Sequence, residues 1–365
     1  MKLAALIDVL EAFAPRTLQE EYDNSGLLLG KRQVIIDKAL ICVDITDEVM
    51  KEAIEGGFNL LISHHPFIFK GIKRVTGQNL QDRILISAIK HDIAVYAMHT
   101  NLDNVYHGVN GILASKLGLT KLKILSPQQG KLRKLVTFCP TDHADQVRNA
   151  LFEAGAGQIG EYDACSYNVD GQGTFRAGDG ADPFVGEKGK LHFEHEVRIE
   201  TIYPVHLEKA IIAKLLAAHP YEEVAYDIYP LSNVNSRIGA GMIGELEKAM
   251  SEKTFLEMLK KNLNAAVIRH SSLLGRTVKN VAFCGGSGSF LIRQAISMGA
   301  DAFITGDMKY HQFFEAENKI LIADVGHYES EQFTKELIFQ ILKEKFPNFA
   351  LRISKVNTNA VKYFS

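Results

Sequence analysis

The chain has 365 residues, 46% hydrophobic and 23% charged, a mixture that excludes disorder along its whole length. Forty-one Lys and Arg against 43 Asp and Glu leave a formal charge of −2, so no global basic excess is present to grip nucleic acid. No apolar run approaches the roughly 20 residues of a membrane span, and at roughly 150 residues per domain the length predicts two or three domains.

Leu3, Leu6, Ile7, Leu10 and Phe13 share one helical face, and Pro15 closes it. Asp8 and Glu11 interrupt the apolar stretch, so an amphipathic helix is expected here rather than a secretory signal. Residues 38–44 read as a buried strand, followed by a helix capped by Thr46 and stopped at Gly56-Gly57. Strands are predicted at 58–63 and 93–99, with a helix at 81–92 between them and another from about 105 to Gly118. Strands alternating with helices imply a mainly parallel sheet covered on both faces. Cys42, Cys139, Cys165 and Cys284 form no closely spaced pair, which excludes a cysteine zinc site and points to reduced thiols in the cytoplasm.

The texture changes near residue 127. A polar linker (126–134) leads to a strand at 134–140 and a helix at 143–155. The glycine-rich stretch 170–190 reads as a long loop. An alternating strand at 195–204, a helix at 207–219 and a strand at 223–231 complete a unit sized for an α+β sandwich of ferredoxin-like type. Alternating texture then resumes, with helices at 253–262, 288–298, near 308–316 and 330–345, and strands at 280–284, 302–305, 320–325 and 350–354. The expected architecture is an α/β core of residues 1–126 and 232–365, interrupted by an inserted α+β domain at 127–231.

The chemistry gathers at strand ends. His64 and His65 end one predicted strand, Asp103 follows a second, and His327 follows a third with Glu331 four residues on, one helical turn away. All five fall at carboxyl ends of strands, the edge where an open parallel sheet binds ligands. Three imidazoles and two carboxylates suit Zn²⁺, Fe²⁺ or Mn²⁺, and they exceed the needs of one catalytic ion. Two divalent metals sharing a carboxylate, about 3.5–4 Å apart, would use all five. His99 is a candidate proton shuttle or a support for the ligands. Gly285, Gly286 and Ser287, in CGGSGSF, either let backbone N–H groups approach a phosphate or make a tight strand-to-helix turn. Asp307, Lys309, Tyr310 and His311, in TGDMKYH, either contact substrate or begin a solvated helix. No nucleophile elbow is present.

The motifs EYDNSGLLLG (21–30), ISHHPFIF (62–69), MHTNLDN (98–104), VAFCGGSGSF (281–290), ITGDMKYH (304–311) and DVGHYESE (324–331) resemble the Nif-three-like family of dinuclear-metal, toroidal hexameric proteins. Tyr22 stands where that family often has Trp. The resemblance implies metal ligation by His64, His65, Asp103, His327 and Glu331, a homohexamer of two trimers, and an insert similar to the trimeric PII and CutA-like fold. Members are commonly labelled GTP cyclohydrolase I type 2 homologues, which implies a metal-dependent hydrolase of a small nucleotide-like substrate. The alternative is a non-catalytic, metal-binding regulatory or scaffold hexamer. No membrane or nucleic-acid partner is expected, and neither the native metal nor the substrate is legible.

Overall fold

The computed structural model describes residues 1–364. They form two compact units, one of Met1–Ser126 with the chain from Arg237 onward, the other of Pro127–Ser236. No helix among the described residues is long and apolar enough to cross a membrane.

The first unit is α/β and holds two sheets. The five-stranded sheet runs, edge to edge, Gly26–Leu29, Ala94–Ala97, Leu60–Ser63, Lys38–Cys42 and Ala350–Ile353. Its last four members are parallel, and Gly26–Leu29 pairs antiparallel at one edge. Alternate side chains of a strand face opposite sides, so both faces need cover. Ala39, Ile41, Leu60 and Ile62 pack against helices Leu3–Phe13 and Thr334–Lys345, while Leu40, Leu61 and Val95 pack against Asp47–Gly56 and Leu80–Lys90. Thr46 caps the third of these helices, its hydroxyl accepting from Val49 N at 3.3 Å.

The six-stranded sheet is ordered Arg269–His270, Leu321–Asp324, Ala302–Gly306, Thr277–Ser287, Gly239–Ser251 and Thr120–Pro127. Its neighbouring strands at 277–287, 302–306 and 321–324 run parallel to one another, and Gly239–Ser251 and Arg269–His270 pair antiparallel on either side of them. Phe283, Ile304 and Ala323 face helices Val109–Leu117 and Glu252–Asn262; Ala282, Phe303 and Ile322 face Ile292–Ser297.

Several local expectations change. The strands at 26–29, 120–127 and 239–251 had no counterpart in the sequence reading. The helix expected from 330 to 345 is divided into His327–Glu331 and Thr334–Lys345. The segment near 308–316 is a 3-10 helix, Tyr310–Ala316.

The second unit has the order β-α-β-β-α-β, with one four-stranded antiparallel sheet ordered Tyr167–Arg176, Leu191–Pro204, Leu132–Pro140, Tyr226–Pro230. Helices Ala144–Glu153 and Glu208–Ala218 cover one face, burying Leu135, Val197 and Ile199 with Val147, Leu151, Ile211 and Leu215. The long loop expected at 170–190 is corrected here: its first seven residues belong to a strand that pairs with 191–200 along ten positions. Gly171 and Gly173 sit in extended backbone there, and only 177–190 is irregular.

Candidate metal centre

The strand pairing sets the site. Cys42 lies opposite Ser63, and Ser63 opposite Ala97, so the residues that follow leave one sheet edge together. The ladder continues through His64 N to Cys42 O (3.2 Å) and His65 N to Val43 O (3.0 Å). Adjacent side chains then diverge: His64 is fully buried, and the His65 side chain is 19% exposed. Asp103 ends the short helix Thr100–Asp103. His327 and Glu331 begin and end the one-turn helix His327–Glu331, and their facing atoms, Nε2 and Oε2, are 3.0 Å apart.

Four imidazoles meet here. His65 packs 4.8 Å from His64, 5.4 Å from His99 and 5.1 Å from His327, ring centre to ring centre. Each has its Nδ1 bound to oxygen at 2.7 Å: His64 to the Met98 carbonyl, His65 to Asp44, His99 to Asp23 and His327 to Asp307. A carbonyl or carboxylate only accepts, so each Nδ1 donates, and Nε2 is the nitrogen left for other work. This is the orientation that outer partners impose on metal-ligating histidines.

The inward atoms are poorly served by hydrogen bonds. His64 Nε2, Asp103 Oδ1 and Glu331 Oε2 are buried without a hydrogen-bond partner, which ordinarily costs 1–3 kcal/mol for each such group, on the order given by mutational data. Glu331 Oε2 lies 3.0 Å from Nε2 of both His65 and His327, yet the approaches are not aligned as hydrogen bonds. The two Nε2 atoms are 3.2 Å apart and cannot both point a proton at each other. Donors about 2.9–3.4 Å apart are what neighbouring ligands need around one ion at about 2.05 Å. A second, wider group shares the same oxygen: His64 Nε2 is 3.6 Å from Glu331 Oε2 and 3.7 Å from Asp103 Oδ1. His64, His65 and Glu331 each offer an atom within 4.8 Å of the others. The residues present thus fit a divalent cation.

Electrostatics agree. Burial acts to raise the Glu331 carboxyl, but the charge of the surrounding imidazoles, His64 first, holds it well below its ordinary value. Asp103 is pushed well above its ordinary value, first by burial and then by the Glu331 charge. Burial opposes protonation of His65, and Asp44 with Glu331 overcomes it, lifting its pKa to about 10; His327 rises to about 9 against the same opposition, through Glu331 and Asp307. In His64 burial wins and the pKa falls. Packing such charges together without an ion is costly, and a cation would relieve it.

The glycine-rich turn contributes differently from the phosphate cradle considered above. Gly285 N donates to Asn110 Oδ1 (3.0 Å) and Gly286 N to Ser330 Oγ (2.9 Å), so neither N–H is free for an anion. Gly286 has φ +63°, and a Cβ there would collide with Glu331 Oε1. Its role is room for the carboxylate. Ser287 is exposed. Lys309 and Tyr310 are exposed too, Tyr310 at 73%, and the structure does not bring them to the histidines; their neighbour Asp307 is the residue that reaches His327.

Two supporting acids escaped the sequence reading. Asp23 is buried and accepts from His99 Nδ1, Thr100 N (3.0 Å), Thr100 Oγ1 (2.5 Å) and Ser25 Oγ (2.7 Å). Burial opposes its charge, but these donors hold it far below the ordinary carboxylate range. Asp44 joins His65 to Thr358 Oγ1, which donates at 2.8 Å. Beside His65 and His327 opens a cavity of about 860 Å³, lined in part by Asp44, Phe67, Arg269, Asp307 and Tyr363. Arg269 is held at its edge by Asp324 and by the Met308 carbonyl (2.8 Å).

The Duf34/NIF3 (NGG1p interacting factor 3) family profile matches residues 1–360. A protein of Bacillus subtilis named "GTP cyclohydrolase 1 type 2 homolog" is 39% identical over 360 residues, covering 97% of this chain and 96% of its own. One of the same name from Halalkalibacterium halodurans is 38% identical over 367 residues, covering 98% and 99%. The crystal structure of a Bacillus cereus protein related to NIF3 superposes with a TM-score of 0.87 at 37% identity, covering 100% of this chain and 99% of that one. By profile, sequence and fold together, the chain belongs to the Duf34/NIF3 family.

Proposed function

We propose that the chain is a dinuclear-metal hydrolase acting on a small, nucleotide-like molecule. The observation that carries this reading is Glu331 Oε2, a buried carboxylate oxygen common to the His65–His327 group and the His64–Asp103 group. One divalent ion (Zn, Fe or Mn) would be held by His65, His327 and Glu331, a second by His64, Asp103 and Glu331. Such ions supply Lewis acidity and make water acidic enough to attack at neutral pH. The protein's own part is orientation and proton handling. Asp44, Asp307 and the Met98 carbonyl fix three imidazoles, and Asp23 fixes His99 with Nε2 as the nitrogen able to take or give a proton. The adjacent cavity has the size of a small-molecule site. The relatives' name supports a nucleotide-like substrate, and four free cysteines support a reducing, cytoplasmic setting.

A second reading, a non-catalytic regulatory or scaffold hexamer, draws support from the separate unit 127–236 and its own cavity. One experiment separates the two. Metal-replete protein is screened against GTP, other nucleotides and phosphoesters, and its mass is measured by light scattering. Turnover that disappears in His65→Ala is expected. Silence on every substrate with metal still bound would transfer the case to the regulatory reading, and a mass of one or two chains would remove the hexamer from both.

A further inference from the structure

The unit 127–236 contains a cavity of about 640 Å³ that the metal site does not explain. It lies on the sheet face away from the two helices. Val197 and Ile199 point toward the helices, so Glu196 and Arg198 point the other way. Across the ladder Glu196 faces Gly171, and Arg198 faces Phe138 and Val169. The glycines leave the floor open. Phe175 and Phe184 each stand 6.2 Å from Tyr221, ring centre to ring centre, and wall the cleft with aromatic surface.

One polar group is placed for recognition. Glu196 Oε1 accepts the Tyr221 hydroxyl at 2.9 Å, which fixes the carboxylate, while Oε2 lies over Gly173, where any Cβ would collide with it. Oε2 makes no hydrogen bond among the described residues. The lining is electronegative, with Asp170, Glu196, Glu222 and Glu223 against Arg176 and Arg198, and Arg198 is drawn 2.7 Å from Glu200. A phosphate would meet repulsion. A flat cation would meet aromatic faces and a fixed acceptor.

We propose that this cleft binds a planar aromatic cation presenting N–H donors, an amidinium or a protonated amino-heterocycle, with Glu196 Oε2 as acceptor and Phe175, Phe184 and Tyr221 as ring contacts. The site is independent of the metal centre and of any reaction there.

Benzamidine and benzoate, nearly isosteric and opposite in charge, test the proposal on the full chain by ligand-observed saturation-transfer NMR and titration calorimetry. Benzamidine is expected to bind, with benzoate weaker by about tenfold or more. Glu196→Gln keeps an acceptor for Tyr221 and should weaken benzamidine about tenfold. Phe184→Ala should weaken it several-fold; Phe184 is 52% exposed, so the fold survives its loss. Equal binding of both probes, or binding of neither, overturns the proposal. So does benzamidine affinity unmoved by both substitutions, which would place the cation among the acids of the core cavity. Saturation transfer that fades as protein concentration rises also overturns it, because a second copy would then cover the cleft.

Discussion

Glu331 and Glu196 each lie against a glycine with no Cβ to displace them, and there the likeness between the two units ends. Glu331 is buried among imidazoles supplied by separated segments of the chain, and its Oε2 has no hydrogen bond. Glu196 is half-buried on one strand, steadied by a tyrosine from a nearby turn, with Oε2 facing a cleft. The first arrangement suits a small ion that several donors must surround. The second suits a flat molecule that one acceptor and aromatic walls can hold. A carboxylate over glycine is thus a reusable part, and the depth of its burial decides what it binds.

The largest expected effect tests the deep site. Glu331→Ala removes the atom common to both donor groups and should abolish nearly all metal binding; Asp103→Ala should lose the part held with His64. Elemental analysis of protein purified without chelator reads both, and stoichiometry unchanged in the two variants would refute the ligand assignment.

A smaller effect concerns protons. The pKa values of His65 and His327 are raised to about 10 and about 9 without metal, against an ordinary 6.5, so at pH 7 the pair holds a proton beyond its neutral forms. Their charge–charge stabilisation is full below pH 6.5 and is lost as pH climbs through 9 and 10. The thermal midpoint of metal-free protein should therefore fall from pH 7 to 10. Metal must expel these protons, so its apparent affinity should rise by about tenfold per pH unit for each one displaced, up to about pH 9. Calorimetry in buffers of different ionisation enthalpy counts the protons released, and a count of zero contradicts the assignment.

The smallest effect compares the two glycines. Gly286→Ala meets a buried carboxylate and a left-handed backbone, and should cost roughly 2 kcal/mol or more together with metal affinity. Gly173→Ala displaces a half-buried carboxylate held by the Tyr221 hydrogen bond and should cost less, about 1 kcal/mol. Equal losses in thermal midpoint would erase the proposed difference in depth.

What could be read beforehand follows from periodicity. Buried strands such as Leu60–Ser63 and Leu321–Asp324 are continuous apolar runs, and the βα texture around them exposed the α/β core. The strand Gly239–Ser251 was invisible because its register shifts between Glu245 and Met250, which breaks alternation, and its first half is glycine-rich. The strand Tyr167–Arg176 is an edge with almost every residue exposed, so burial left no pattern to find. At the site, His64 and His65 announce themselves as neighbours. Asp23 and Asp44 do not, because they act on histidines 76 and 21 positions away. The backbone N–H groups of Gly285 and Gly286 could be judged only once Asn110 and Ser330 were seen to occupy them.

The 262 positions between His65 and His327 carry a consequence for synthesis. The whole unit 127–236 leaves the ribosome between the first three proposed ligands and the last two. That unit is built from contiguous sequence and can close on itself early, whereas the candidate metal centre joins segments on either side of it in the chain and must form late. A nascent chain stalled before residue 327 holds at most His64, His65 and Asp103. It also lacks the helix Thr334–Lys345 and the strand Ala350–Ile353 that complete the first sheet. On the proposed ligand set, the complete site can therefore be filled only after translation has passed Glu331.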